Sequence, residues 1–320
     1  LDNYEKAIEY YTRLYSIYNS RKNEIEAGKA LRSIGNSYYG WSKFVESNDY
    51  LHRALDIFKK NQYFEGVALT LRDIARILGH WGEYDEALNK NQEALKFWEE
   101  IGDMEGTASA YNNIGSLYKE LGNLDNAHEY FRKSLEIFEK LKKKADIVSV
   151  TLHIGDIYLR KELFDKALEY YFKADAIGKE INNKKLKAIT LSNIGEAYNL
   201  KGDYETALEY QKQAILINEE IGDKMRLSIS YTEMGSIYFN MNDFNKALSY
   251  LSKALEIANE INFKFQIIKC HKSLSDVYNS IKNHEKAFDH YQQYIEGKEK
   301  IYSEENKRTI AELQAKYQIE

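Results

Sequence analysis

The sequence predicts an all-α solenoid of helix–turn–helix repeats, on three observations: a 40-residue period, a complete lack of proline, and apolar positions at helical spacing. The 320 residues include 0 Pro and 17 Gly, so helices can run without interruption and loops are few. This composition argues against a β-sandwich and against a disordered linker.

The charge and the cysteine content exclude several classes of protein. One Cys cannot form an internal disulfide or supply a cysteine-rich zinc site, which suits a reducing compartment. The 45 basic and 50 acidic residues give a net charge of −5, which disfavours a nucleic-acid partner. Apolar runs are too short to cross a membrane. We therefore expect a cytoplasmic protein with no cofactor, no bound metal and no membrane contact.

A recurring pair of an apolar residue and a small residue reveals the period. The pair lies at Ile34-Gly35, Ile74-Ala75, Ile114-Gly115, Ile154-Gly155, Ile194-Gly195, Met234-Gly235 and Leu274-Ser275. The position three residues later holds tyrosine in six of seven cases: Tyr38, Leu78, Tyr118, Tyr158, Tyr198, Tyr238 and Tyr278. The same fixed period therefore organises the chain.

Helical spacing explains these positions. Tyr111, Ile114, Gly115 and Tyr118 share one face of a helix, which predicts that this face is buried. Turn residues such as Gly82 then separate the first helix of a repeat from the second. Twelve residues after the small position, a second column of small residues marks where the two helices touch: Ser47, Ala87, Ala127, Ala167, Ala207, Ala247 and Ala287.

The period divides the chain into three parts. Residues 1–20 are predicted to be the second helix of a truncated repeat, because Tyr4 and Ala7 lie one period before Phe44 and Ser47. Residues 21–301 form seven such repeats, and no repeat can bury both of its faces without its neighbours. Residues 302–320 lose the pattern and are predicted to be a capping or connector helix.

These residues resemble the tetratricopeptide repeat, as in Ile154-Gly155, Tyr158, Ala167 and Tyr171. The resemblance covers about residues 1–301 and implies a right-handed superhelical solenoid whose first helices line a concave surface. The period here is longer than that of the usual repeat, which is about 34 residues, and the closing proline of that repeat is missing. HEAT and armadillo repeats have a similar length but lack this register of glycine, tyrosine and alanine.

The sequence offers no enzymatic constellation, so we expect no catalytic residues. It contains no phosphate-binding glycine loop and no zinc-protease or nucleophile-elbow motif. Cys270 and His271 are adjacent and would point about 100° apart on a helix, which disfavours a nucleophile and base pair. His284 and His290 are six residues apart, a poor spacing for metal ligands.

The candidate binding residues are polar side chains on the first helices, in columns opposite the predicted core. The first two repeats contribute a basic group, and later repeats contribute acidic and amide side chains. Arginine suits bidentate capture of carboxylate or phosphate, and asparagine can pair with a peptide backbone. The predicted ligand-binding residues are Lys29, Arg32, Asn36, Arg72, Arg76, Asn112, Ser116, Asp156, Asn193 and Glu196.

A precedent and an alternative bear on the arginines. Tetratricopeptide cochaperones clamp acidic peptide ends with Lys, Arg and Asn in comparable columns, although that register is not reproduced residue for residue here. The alternative is that the arginines form ion pairs with Asp73 or Glu65. Exposed pairs contribute only about 0 to 1 kcal/mol, so stability alone would hardly require three of them.

Two functions are compatible with this architecture. The first is a scaffold that binds a protein or peptide partner, with acidic segments favoured. The second is a sensory array whose C-terminal helix transmits to a histidine kinase, cyclase or transcription-factor module, as in bacterial signalling proteins that this region resembles. Ile310, Leu313 and Tyr317 form an apolar stripe that would serve as a connector or a homodimer seam.

Overall fold

The computed structural model describes residues 2–299, and these residues are helical apart from short turns. The helices are α1 (Asp2–Ser20), α2 (Glu24–Gly40), α3 (Phe44–Lys60), α4 (Phe64–His80), α5 (Tyr84–Glu100), α6 (Met104–Glu120), α7 (Leu124–Lys140), α8 (Lys144–Arg160), α9 (Phe164–Ile181), α10 (Lys184–Lys201), α11 (Tyr204–Ile221), α12 (Lys224–Asn240), α13 (Phe244–Glu260), α14 (Lys264–Ser280) and α15 (284–299). The predicted all-α repeat fold is confirmed. None of the described helices is long and apolar enough to span a membrane.

Contacts divide the chain into two compact units, the first ending at Lys143 and the second beginning at Lys144. Within each unit, helices adjacent in sequence pack as antiparallel hairpins, and each hairpin packs on the next. The core of the first unit includes Leu31, Phe58 and Trp98. The second unit has buried clusters around Tyr171 and around Leu251.

A residue with positive φ closes each helix at 20-residue intervals, from Lys22 to Lys282. Around Gly202, for example, its N–H donates to the carbonyl of Asn199, and the next N–H donates to the carbonyl of Tyr198. Asp203 then caps α11, because its side chain accepts a hydrogen bond from the backbone N–H of Thr206. Two or three residues thus end one helix and begin the next, which explains why the chain needs no proline.

The small columns permit close packing of the two helices in a hairpin. A Cβ atom on Gly155 would lie 2.4 Å from Cε1 of Tyr171, and one on Gly235 would lie 2.6 Å from Cγ of Leu251. On the facing helix, Ala167 and Ala247 are fully buried. Where serine replaces alanine, its hydroxyl finds an acceptor: Ser47 Oγ donates to the carbonyl of Gly35 at 2.7 Å.

Where the column holds tyrosine, its ring stacks on a ring of the facing helix in the same hairpin. Tyr38 stacks on Tyr50 with centroids 5.5 Å apart, and Tyr198 stacks on Tyr210 at 5.8 Å. Equivalent stacks occur in other repeats, and in the last one the partner of Tyr278 is His290. Parallel rings of this kind bury apolar area and add favourable contact energy.

Two glycines in the second unit should respond to alanine in opposite directions. Gly155→Ala places a methyl group against the buried Tyr171 ring, so the free energy of unfolding should fall by about 1–3 kcal/mol. Gly178 lies within α9 with open space around the position that a Cβ would take, so Gly178→Ala should gain about 0.5–1 kcal/mol from helix propensity. Urea unfolding measures both, and a shift in the same direction would contradict the packing argument.

Candidate functional site

The polar residues of the first unit project from α2 and α4 at equivalent positions of the repeat. Arg32 and Arg72 are one period apart, as are Asn36 and Arg76. Packing of α2 near α4 brings these side chains together. We call Arg32, Asn36, Arg72, Asp73 and Arg76 the basic cluster.

Asp73 is the centre of the basic cluster. Its side chain is 2% exposed, and its Oδ2 accepts from Arg32 Nε at 2.8 Å and from Asn36 Nδ2 at 3.1 Å. Arg72 Nη2 donates to the other carboxylate oxygen at 3.2 Å. The alternative left open by the sequence, an ion pair with Asp73, is therefore present in the structure, whereas Glu65 accepts from Tyr63 Oη.

Arg76 occupies the outer part of the cluster. Its Nη2 donates to Asn36 Oδ1 at 3.0 Å and lies 3.9 Å from Asp73 Oδ1. The guanidinium carbon is 3.9 Å from the centroid of the Tyr39 ring, in a cation–π contact. His80 lies on the same helix as Arg76, and burial together with the positive charge of Arg76 lowers the pKa of its imidazole. The position of Arg76 is therefore fixed by an amide and an aromatic ring.

The cluster has more positive than negative charge. Its three guanidinium groups surround one carboxylate, and the side chains of Arg32, Arg72 and Arg76 remain 22%, 34% and 46% exposed. A guanidinium has five N–H donors in a planar fork, so contacts to one carboxylate leave donors free. The arrangement is suited to an incoming anion.

Other predicted residues of the first unit lie outside the cluster. Lys29 Nζ donates to Glu26 at 2.7 Å, and this hydrogen bond raises the pKa of Lys29. Ser116 Oγ donates to the backbone carbonyl of Asn112 within α6. Among the described residues, Asn112 Oδ1 is buried and has no hydrogen-bond partner. The structure thus places an unused amide acceptor on α6.

The acidic residues of the second unit form a separate group on α8, α10 and α12. Asp156 Oδ1 accepts from the buried Tyr171 hydroxyl at 2.9 Å and from Asn193 Nδ2 at 3.3 Å. Burial and the neighbouring Asp156 raise the pKa of Tyr171, so this phenol remains a donor. We call Asp156, Glu196 and Glu233 the carboxylate cluster.

Glu196 has an unusual protonation equilibrium. Burial and the negative charge of Glu233 raise the pKa of Glu196 to about 7, opposed by the positive charge of Lys269. Lys269 Nζ donates to Glu233 Oε1 at 2.9 Å, and the Glu233 side chain is 12% exposed. Near neutral pH a fraction of the Glu196 side chains is therefore protonated, and the net charge of the carboxylate cluster changes with pH.

Sequence reasoning missed Glu233 and Lys269, and it considered Asp73 only as a partner of the arginines. Asp73 and Glu233 occupy the same column, two residues before the small position. Glu233 and Lys269 are 36 residues apart, a spacing that recurs in ion pairs such as Lys184–Glu220 and Lys224–Glu260. This shared column and this recurring spacing are the signals that could have found them.

Cys270 and His290 are two further residues that the sequence singled out, and both lie at packing positions of the last repeat. Cys270 is fully buried, and burial raises the pKa of its thiol, which suits a packing residue. His290 lies on α15, where its ring contacts His271, a pairing that the sequence did not suggest. Within residues 2–299, no group of three or more His, Cys, Asp or Glu could hold a metal ion. Ile310, Leu313 and Tyr317 lie outside the described residues.

The hairpins and their small and aromatic columns define an α-helical repeat protein. The sequence matches the model of the tetratricopeptide repeat family at residues 66–140, 146–220 and 226–300, which is well over half of the chain. The chain belongs to the tetratricopeptide repeat family, as the sequence predicts. No curated protein matches it.

Solved structures with similar folds include regulatory proteins. A Rap protein complexed with competence and sporulation factor has a TM-score of 0.70 at 16% identity, with 88% of this chain and 76% of that chain covered. The Rap conjugation gene regulator of plasmid pLS20, in complex with a Phr peptide, has a TM-score of 0.69 at 14% identity, with 89% and 77% covered.

A third similar structure is a signal transduction ATPase with a tetratricopeptide repeat sensor from Pyrococcus horikoshii. Its TM-score is 0.62 at 23% identity, and the match covers 91% of this chain and 46% of that chain. At these identities the three likenesses show a shared fold.

Asp73→Asn should destabilise the first unit, because it removes the charge that holds three guanidinium groups together. We expect the free energy of unfolding to fall by about 2 kcal/mol, the scale of hydrogen bonds to a charged group. The matched control is Asp49→Asn, whose side chain is 66% exposed and lies 3.6 Å from Arg53, and which should cost less than about 0.5 kcal/mol. Equal losses in urea unfolding would refute a special role for Asp73.

The protonation of Glu196 should be visible by carbon-13 NMR of its side-chain carboxyl. We expect a titration midpoint near 7, against an ordinary value of 4.5. Glu233→Gln should lower the midpoint, because it removes a like charge. Since the folded state holds this proton more tightly, Glu196 should make stability fall as pH rises from about 4.5 to 7, and Glu196→Gln should remove that contribution. A wild-type midpoint near 4.5 would refute the cluster's electrostatics.

Proposed function

We propose that this protein is a binding scaffold and that the basic cluster of its first unit binds an acidic segment of a partner protein or peptide. The observation that carries the proposal is the excess of three partly exposed guanidinium groups over one buried carboxylate. Structures of Rap proteins with bound peptide or factor support a peptide ligand, because they share this fold.

Asp73 has a definite role in this proposal. It is buried at the base of the cluster and orients Arg32 and Arg72 from two different helices. Oriented guanidinium groups lose less conformational entropy when an anion binds, since their rotamers are already restricted. Asp73 therefore reduces the net positive charge of the basic cluster but holds its guanidinium groups in a fixed orientation.

Backbone recognition would come from amide side chains. Asn112 has a buried acceptor without a partner among the described residues, and this oxygen would accept from a peptide N–H if the side chain turned toward the ligand. In the second unit, we assign Asn193 and Glu196 to contacts with polar or basic groups of a ligand. Main-chain contacts would supply affinity, while the basic cluster would supply selectivity for acidic residues.

A sensory role is the second candidate function. The Pyrococcus horikoshii protein supports it, since a repeat array of this fold is described there as a sensor and makes up only part of a larger chain. In this interpretation, ligand binding would alter an output domain such as a histidine kinase, a cyclase or a transcription-factor module. Both candidates require the same first step, which is ligand binding by the array.

We expect charge reversal at Arg76 to weaken the binding of an acidic peptide selectively. The probes are two fluorescein-labelled octapeptides of equal length, one rich in glutamate and the other with glutamine at the same positions. Wild type should bind the glutamate peptide more tightly, and Arg76→Glu should weaken that binding at least about tenfold, as expected for a lost charge-assisted contact.

Lys29→Glu is the matched control for this experiment. Lys29 also lies on a first helix, its side chain is 47% exposed against 46% for Arg76, and its reversal changes the net charge equally. It should alter affinity less than about threefold because it pairs with Glu26 outside the cluster. Equal losses in the two variants, or no preference between the peptides, would refute the proposed site.

A further inference from the structure

The last repeat has two histidines at the positions where the sixth repeat has two tyrosines that contact each other. In the sixth repeat, Tyr231 of α12 meets Tyr250 of α13 with ring centroids 5.9 Å apart. The equivalent positions one period later hold His271 of α14 and His290 of α15, whose centroids are 5.2 Å apart. A contact between two phenol rings thus becomes a contact between two groups that titrate near neutral pH.

The two imidazoles are joined by a hydrogen bond. His271 Nδ1 lies 3.0 Å from His290 Nδ1, so one nitrogen donates and the other must be unprotonated to accept. The Tyr278 ring stacks on His290 with centroids 5.4 Å apart and planes 7° apart, which fixes the orientation of the imidazole. The bond therefore exists only while at least one ring is neutral.

The surroundings oppose protonation of both rings. Burial and the proximity of His290 lower the pKa of His271. Burial also lowers the pKa of His290, and there Asp289 acts against burial while Lys286 acts with it. The two charged groups that act on His290 therefore lie on α15, beside it in the sequence. Lys272 and Asp276 on α14 pair with each other at 2.6 Å.

The pair lies in the interface between α14 and α15. Other contacts between α14 and α15 include the Tyr278–His290 stack, the hydrogen bond that Ser275 Oγ donates to the carbonyl of Ala287 at 2.8 Å, and the approach of Gly297 to Ile268. On the outer side of α15, Phe288 and Tyr291 are exposed to solvent. The histidine bond is therefore one of several contacts that hold α15 against α14, and it is the one whose strength depends on imidazole protonation.

We propose that the His271–His290 hydrogen bond is a pH-sensitive latch, which holds α15 against α14 at neutral pH and releases it when acidification charges both rings. The first effect of protonation is loss of the acceptor, and the second is repulsion between two like charges in a half-buried contact.

The direction of the pH effect follows from linkage. Both histidines have a lower pKa in the docked state than the ordinary 6.5, so undocking takes up protons. The contribution of the latch is therefore complete above about pH 6.5 and is lost as pH falls below that value. Glu196 acts on α10 with the opposite sign, so a local measurement can separate the two groups.

Hydrogen–deuterium exchange with mass spectrometry tests the latch in the full 320-residue chain at pH 7.5 and 5.0. After correction for intrinsic exchange rates, exchange in residues 284–299 should accelerate about fivefold at pH 5.0, the scale expected when one hydrogen bond between docked helices is lost. Exchange in α13 provides the internal control and should not accelerate. Unchanged protection of residues 284–299 at pH 5.0 would overturn the proposal.

The decisive variant restores the pair found in the sixth repeat, His271→Tyr with His290→Tyr. Its α15 should stay equally protected at both pH values, whereas acceleration that persists in this variant would overturn the latch. Proton NMR of the wild-type imidazole rings provides a test that needs no variant. Both rings should titrate below the ordinary histidine value, and titration of either ring at or above that value would overturn the proposal.

Discussion

Close approach of two helices at a column of small residues, most of them glycine, is the constraint on which the rest of this structure depends. At Gly155 the facing Tyr171 ring occupies the space of a missing methyl group, and at Gly235 the Leu251 side chain does the same. Because each hairpin closes in this way, its outer faces are presented to the next hairpin at a constant spacing. The repeated tyrosine stacks and the 20-residue turns are consequences of that spacing.

A rigid framework leaves the remaining columns free to differ between repeats. The column two residues before the small position illustrates this: it holds Asp73 on α4 and Glu233 on α12. Neither side chain contributes to the apolar core, so the fold does not dictate the residue type. What each carboxylate contacts is decided by neighbouring repeats, through residues such as Arg32 or Lys269.

The framework could be predicted from the sequence because its contacts recur at fixed offsets. The glycine, alanine and tyrosine columns each follow from a helix–helix contact that the chain makes several times, so chance substitutions do not hide them. The clusters could not be predicted to the same depth. Lys29 and Arg76 are both basic side chains on first helices, yet Lys29 pairs with Glu26 while Arg76 joins Asn36 and Tyr39. Side-chain rotamers, which a one-dimensional pattern does not contain, decide between such partners.

The histidine pair is a second contact that the sequence pattern did not reveal. Inspection of single helices separates His271 from His290, because they are 19 residues apart and lie on different helices. The repeat grid contained the signal, since Tyr231 and Tyr250 have the same separation and already touch. In a repeat protein, a substitution is therefore best interpreted against its equivalent in the neighbouring repeat and against that residue's contact partner.

The basic cluster and the carboxylate cluster differ in charge because their carboxylates have different numbers of cationic partners. Asp73 meets three guanidinium groups, so the surplus charge around it is positive. Glu233 meets one ammonium group and lies near Glu196, whose pKa is raised to about 7 by burial and by the negative charge of Glu233. A carboxylate in the same column thus organises a cation-rich surface in one unit and an anion-rich surface in the other. The charge of each surface is then set by the side chains of neighbouring repeats, while the backbone of the repeat stays the same.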